Sequence, residues 1–293
     1  MSSAAPLHQR LGKIILATGN TMVSLLKILV SSRKAPEFPL PESDTCIVLG
    51  NGPSLKTSFQ KYPAHFKRFP LICVNSFCLS PEYDQLKPAY CVMLDSGLWK
   101  ADNEFVRNVV TSLLTKTTWT MHLIIPHDAA GSALLNNLKN HSHIRIHLIN
   151  YVVYKGFSPI GHYFYKKNLA MPQCQNVLVA SLFCAINLGF RNIEFFGADH
   201  NWHEQLAVRE DNVVCIRQVH FYENREEISF LPFYKTMHVK ETFRMDEAFH
   251  AWAKVFFGYF NIRNYAASRD VKIVNSSEIS FIDAFERSKP TVI

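Results

Sequence analysis

An α/β fold, in which a mostly parallel sheet carries helices on both faces and a lid is inserted near the C-terminal third, is predicted by three observations. Short β-rich runs alternate with longer segments of helical character along most of the chain. A composition of 48% hydrophobic and 19% charged residues over 293 positions can fill one large core. One late stretch, Trp202 to Val239, breaks the rhythm.

The strands are expected, in order, at Cys46 to Leu49, Leu71 to Val74, Tyr90 to Leu94, Met121 to Ile125, Ile144 to Ile149, Ile193 to Phe196 and Val271 to Val274. Parallel pairing follows where the intervening segments are long enough for crossover helices. Helices are clearest at Asn103 to Leu114, Cys174 to Leu188 and Met245 to Ala267. In the second, Val177, Ala180, Ser181, Cys184 and Ala185 recur at helical spacing and are small, as a helix lying close on a sheet requires. Trp202 to Val239 mixes acids, bases and aromatics after a strand. Ligands sit beyond the carboxyl ends of parallel strands, so a lid over residues 202–240 is expected, with a solvated hairpin as the plain alternative.

Residues 1–43 stand apart from the main body at 44–293. Arg10, Lys13, Lys27, Arg33 and Lys34 fall there with no acid before residue 35, so most of the net charge of +7 is local and the body is nearly neutral. That distribution gives little support to nucleic acid as a partner. Ile14 to Val30 is apolar, but Thr18, Gly19, Asn20, Thr21, Ser24 and Lys27 interrupt it, which disfavours a lipid-spanning helix. Two readings stay open: an interfacial helix whose residues 10–34 meet anionic headgroups, and a helix packed on the body or a partner. Pro36 to Pro41 reads as a linker. Seven cysteines without a Cys-x-x-Cys pair read as buried thiols in a reducing compartment rather than a zinc site. The expected location is cytoplasmic, peripheral on the inner face of the membrane.

The stretch TCIVLGNGPSLK, Thr45 to Lys56, runs from a strand into a loop with two glycines. Gly50 and Gly52 permit close backbone approach, Ser54 is placed to cap the following helix, and free amides at a helix start favour a phosphate. Pro53 removes one amide and stiffens the turn. The third glycine of the dinucleotide fingerprint is missing, and Gly-x-x-x-x-Gly-Lys-Ser/Thr occurs nowhere. Three more strand ends carry polar groups: Asn75-Ser76, Asp95-Ser96 and Gly197-Ala198-Asp199-His200. Each alone reads as a turn or cap; on one rim of a sheet, together, they read as a pocket.

GNGPSL after a strand, then CVNSF, then a small-residue helix followed by INLGFRNIEFFGADHN resemble the bacterial sialyltransferases of glycosyltransferase family 42. They also resemble related proteins with the same loop, among them flagellin nonulosonate transferases and an archaeal pterin pyrophosphokinase. The resemblance covers roughly residues 44–100 and 174–201. It implies a single Rossmann-like, nucleotide-sugar-binding domain with a lid, a CMP-activated sugar acid as donor, a glycan acceptor and no cofactor. On it, Asn51, Gly52, Pro53 and Ser54 would meet the CMP phosphate and Asn75 would add a hydrogen bond. Asp95, with Ser96 beside it, stands where the family commonly has an asparagine near the donor. Asn176 would meet the cytidine, and Asp199 matches the aspartate of the Gly-x-Asp segment. Asn201 stands where the sialyltransferases have a phosphate-holding tyrosine, so Tyr234, or Tyr163 and Tyr165, are candidates to supply that hydroxyl. His200, Asn201 and Tyr234 are candidate phosphate or lid contacts.

The sialyltransferase base is a lid histidine after the Gly-x-Asp strand. His203, His220, His238 and His250 lie in that interval, and His238 in FYKTMHVKE has the most fitting place. His250 reads as a packing residue, and His127, His141 and His143 as loop surface. No two aspartates are separated by a single residue, so the metal-holding Asp-x-Asp clamp is missing from the sequence. That agrees with a monophosphate leaving group stabilised by amides and hydroxyls. The expectation is a metal-independent inverting transfer of a sialic-acid-like sugar from a CMP-sugar to a glycan, with His238 as base. The alternatives are a pyrophosphokinase-like enzyme using ATP and magnesium, and a non-catalytic membrane-tethered partner in glycan assembly.

Overall fold

In the computed structural model, which describes residues 6–35, 38–217, 229–235 and 240–291, every expected strand forms. In chain order these are β1 (Thr45–Leu49), β2 (Leu71–Val74), β3 (Tyr90–Val92), β4 (Met121–Pro126), β5 (Ile144–Ile149) and β6 (Asn192–Phe196). Then come β7 (Leu206–Val208), β8 (Val214–Ile216) and β9 (Leu231–Pro232), and finally β10 (Lys272–Asn275) and β11 (Glu286–Arg287). Eight strands build one sheet in the order β11-β10-β6-β1-β2-β3-β4-β5, each pair parallel. The chain steps outward from β1 to β5 and then returns to lay β6 against the other side of β1. The sheet therefore changes winding direction between β1 and β6, and a crevice opens beyond their carboxyl ends.

The helices are α1 (Leu7–Ser31), α2 (Ser54–Lys61), α3 (Tyr83–Leu86), α4 (Gly97–Lys100), α5 (Glu104–Lys116), α6 (Ala133–Leu138), α7 (Ser158–Lys166), α8 (Val177–Leu188) and α9 (Met245–Ala267). Successive β1 residues point to opposite faces. Ile47 and Leu49 pack with Leu55 of α2, Val109 and Leu113 of α5, and Leu135 of α6. Cys46 and Val48 pack with α8 and α9. Each such fully buried aliphatic side chain contributes about 1.5–3 kcal/mol, which favours this register over a one-residue slip.

Helix α8 starts at Val177, later than the sequence pattern predicts, because Asn176 is extended and its Oδ1 accepts a hydrogen bond from Val179 N at 3.0 Å. Gly189, at φ 106°, ends it in the left-handed conformation that glycine tolerates. The small residues Ala180, Ser181, Cys184 and Ala185 are all buried, as close packing on the sheet requires. The seven cysteines are buried and unpaired, and burial pushes the Cys46 and Cys174 thiols up. Among the described residues no three metal-ligating side chains gather.

The interval expected to hold a lid carries a small antiparallel sheet, β7-β8-β9. His220 and His238 lie outside the described residues. His250 is exposed on α9, which buries Ala248, Val255, Tyr259 and Ile262 instead; it is not a packing residue. His127, His141 and His143 are half-buried rather than on an open loop surface.

Candidate functional site

The loops after β1 and β6 are joined backbone to backbone. Gly50 N donates to Phe196 O at 2.8 Å and Gly52 N to Gly197 O at 2.8 Å. Ser54 then donates its N–H to Asp199 Oδ2 at 2.9 Å and its hydroxyl to Asp199 Oδ1 at 2.5 Å. A Cβ on Gly50 would lie 2.5 Å from Gly197 O, and one on Gly52 would lie 2.5 Å from Asp199 Oδ1 and 2.6 Å from Gly197 O. Close packing therefore demands these two glycines, and neither has a positive φ. Ser54 is the first residue of α2, after Pro53 at the N-cap position, and its own side chain does not cap the helix. The expected cap comes instead from the buried Asp199 carboxylate, which also suits the positive end of α2. The Ser54 amide and hydroxyl are thus committed to protein rather than open to a phosphate.

A cavity of about 200 Å³ opens beside this junction, lined by residues 50–53, 74–75, 176–178, 197, 199–202 and 205. Val177 and Leu178 open α8, where backbone N–H groups lack partners within the helix. The positive end of the α8 dipole therefore borders the cavity. Among the described residues the lining holds no lysine or arginine. Asn51 donates through Nδ2 to Val74 O at 3.4 Å, while its Oδ1, like Oε1 of Gln205, is buried without a partner among the described residues. Both residues line the cavity, and both oxygens keep unspent acceptor capacity.

His200 sits at φ 53°, buried. Its Nε2 is 2.9 Å from Asn176 Nδ2 and 2.8 Å from the Tyr259 hydroxyl, and its ring packs 4.3 Å from that of Trp202. Because Asn176 Oδ1 is taken by Val179 N, the amide meets His200 through its NH2, so Nε2 accepts and the neutral ring carries its proton on Nδ1. Burial holds the His200 pKa down to about 3 and pushes the Tyr259 phenol up. Near neutral pH this cluster is an uncharged, fixed hydrogen-bonding wall, and His200 is too weakly basic to serve as a general base.

Asn51, Gly52, Pro53, Asn75, Asn176, Asp199, His200 and Asn201 all line the cavity. Asp95 and Ser96 stand outside it: Asp95 is exposed, and its Oδ1 accepts from Gly97 N at the start of α4. Asn75, at φ 46°, turns Oδ1 toward Leu94 N at 3.1 Å and so braces the end of β3. Tyr234 is exposed and bridged to Thr242. Tyr163 is exposed on α7, and Tyr165 is in the core against Tyr154, Phe183 and Tyr265. The tyrosine hydroxyl that reaches this site belongs to Tyr259, which sequence reasoning missed. It shares a helical stripe with Val255, Ile262 and Ala266 and so resembles core packing. Trp202 and Gln205 were missed as well, inside a stretch with no periodicity.

A family model described as 6-hydroxymethylpterin diphosphokinase MptE-like matches residues 19–205, more than half of the chain. The chain belongs to this MptE-like family. The MptE-like match takes in both junction loops and α8, and ends at Gln205, ahead of β7 to β9, α9 and Tyr259. No curated protein matches the chain. Among solved structures, a MAf glycosyltransferase from Magnetospirillum magneticum AMB-1 is similar at 11% identity and a TM-score of 0.48. The alignment covers 93% of this MptE-like chain but 38% of that one, so the chain spans well under half of its length.

Proposed function

We propose that this chain is a metal-independent inverting glycosyltransferase that moves a sialic-acid-like sugar from a CMP-sugar to a glycan acceptor. The observation that carries this reading is the cavity at the β1/β6 crevice, which Val177 and Leu178 at the start of α8 border and to which, among the described residues, no lysine or arginine contributes. Such a lining suits one phosphodiester charge, and helix amides stabilise the CMP leaving group as charge develops on it. Asn51 Oδ1 and Gln205 Oε1 are placed to accept from ligand N–H or O–H groups, such as an exocyclic amine of the base. Asn176 and Tyr259 hold His200 in one tautomer, so the wall presents fixed dipoles.

In this reading the acceptor hydroxyl attacks the anomeric carbon from the face opposite CMP, and its proton passes to a lid histidine. His238 is the proposed base from its place in the sequence, since His200 is held neutral. The test is transfer from a CMP-sialic acid by the purified protein, with and without EDTA. Turnover that survives EDTA and falls at least about a hundredfold in His238→Ala, with CMP binding retained, supports the reading. Normal turnover in His238→Ala moves the base elsewhere.

The family description favours a second reading, diphosphate transfer from ATP to a hydroxymethyl group. It calls for magnesium, so ATP-dependent turnover abolished by EDTA, with no CMP binding, selects it instead.

A further inference from the structure

Helix α1 is inside out for a helix packed on a globular body. The residues that bury are Thr21, Ser24 and Ile28. Thr21 Oγ1 lies 3.2 Å from the Tyr154 hydroxyl and accepts from Phe157 N at 3.1 Å. Ser24 Oγ donates to Lys155 O and accepts from Lys155 N, both at 2.9 Å. Gly156 is required there, because a Cβ on it would lie 2.1 Å from Thr21 Oγ1. Leu11, Ile15, Met22, Leu26 and Leu29 are 50–83% exposed. At 3.6 residues per turn they share the side opposite Ser24, whereas Arg10 and Lys13 fall on the stripe of Ala17, Thr21 and Ser24. The polar stripe therefore holds the body while the apolar side faces out.

Beside α1 lies a second cavity, of about 350 Å³, bordered by Asn20, Lys155, His162, Gln173, Lys254 and Asn264 and, among the described residues, by no acidic one. Among the described residues neither Lys155 nor Lys254 has a carboxylate partner.

We infer that α1 lies in the plane of an anionic bilayer, its outer side among the acyl chains, with Lys155 and Lys254 drawing a lipid headgroup phosphate into the adjoining cavity. Two features choose a lipid surface over a second copy of this chain. Exposed apolar side chains line the outer side from Leu11 to Leu29. The adjoining cavity has the sign and donor set for phosphate. Anchoring through Thr21 and Ser24 keeps the body against one side of the helix, which fits an interfacial helix rather than a crossing one, although His8–Ser31 is long and apolar enough to cross. The inference is independent of the nucleotide site.

The test is co-sedimentation of the full chain with phosphatidylcholine vesicles, with and without phosphatidylglycerol. Binding is expected to anionic vesicles, weakened by salt. The pair Ile15→Glu and Leu26→Glu should lower it by at least about tenfold. Both positions are exposed, so an unchanged denaturation midpoint certifies folding. Lys155→Ala and Lys254→Ala should each cost about fivefold on anionic vesicles and nothing on neutral ones. Absent binding, equal binding to both vesicle types, or binding indifferent to the glutamate pair overturns the inference. So does a dimer in sedimentation velocity that the glutamate pair dissolves while vesicle binding is absent.

Discussion

Replacing Gly52 with alanine should weaken the fold and empty the crevice at once, because the added methyl group would force apart the two loops that form its floor. The added Cβ falls 2.6 Å from Gly197 O and 2.5 Å from Asp199 Oδ1, about 0.8 Å inside ordinary contact, and one of these two partners is backbone. Restoring contact distance stretches the Gly52 N to Gly197 O bond, now 2.8 Å, past hydrogen-bonding range and pulls Asp199 from Ser54. A neutral hydrogen bond is worth about 1 kcal/mol and bonds to a buried carboxylate about 1.5–3 kcal/mol, so the expected loss is roughly 2–4 kcal/mol. The assay is urea denaturation followed by circular dichroism, with Gly19→Ala as the reference. A Cβ added at Gly19, on exposed α1, meets nothing within 4 Å, so that change should leave stability equal or raise it by up to about 1 kcal/mol. A Gly52→Ala protein within about 0.5 kcal/mol of the parent would show that the loops can part freely and that the junction does not shape the site.

Asp199→Asn keeps the shape but drops the charge opposite Ser54 and the start of α2, so the denaturation midpoint should fall by about 1–2 kcal/mol equivalent; an unchanged midpoint contradicts that role. Tyr259→Phe removes the hydroxyl from His200 and Asn176, and should weaken nucleotide binding several-fold while costing about 1 kcal/mol of stability, read by calorimetric titration alongside denaturation. Because the native His200 pKa, about 3, lies below the ordinary value of about 6.5, the unfolded chain binds the proton that the native chain refuses. Stability should therefore be complete above about pH 6.5 and decline on acidification toward pH 3, by about 1.4 kcal/mol per pH unit from this group. Asparagine tolerates the left-handed backbone at position 200. In His200→Asn the same pH series should be shallower by one proton, and an identical slope refutes the assignment.

The sheet was readable because its strands are buried on both faces, so that runs such as LICV at Leu71–Val74 and MHLIIP at Met121–Pro126 stand out as apolar blocks between helical segments. Helix α9 was readable from end to end, yet the use of Tyr259 was not. A tyrosine in a core stripe announces burial, and only the packing of α9 on α8 sets its hydroxyl beside His200. The glycine loop was located correctly but explained incompletely, since Gly50 and Gly52 answer to Gly197 and Asp199, distant in sequence. Asp95-Ser96 carries the same local signature as Asn75-Ser76. The strand order, which sets β3 two places from β1, leaves Asp95 off the cavity wall. Composition marked Ile14 to Val30 as apolar, but which side of α1 met the body was decided by hydrogen bonds from Thr21 and Ser24 to a segment more than a hundred residues away.

A crystal of the protein grown with CMP would put the reading of the crevice to the test. The expected result is the nucleotide in the cavity beside the two joined loops, with its phosphate within hydrogen-bonding distance of the Val177 and Leu178 amides and Asn51 Oδ1 or Gln205 Oε1 accepting from its cytosine amine. CMP bound elsewhere, or a crevice that takes ATP with magnesium and leaves CMP in solution, would contradict it.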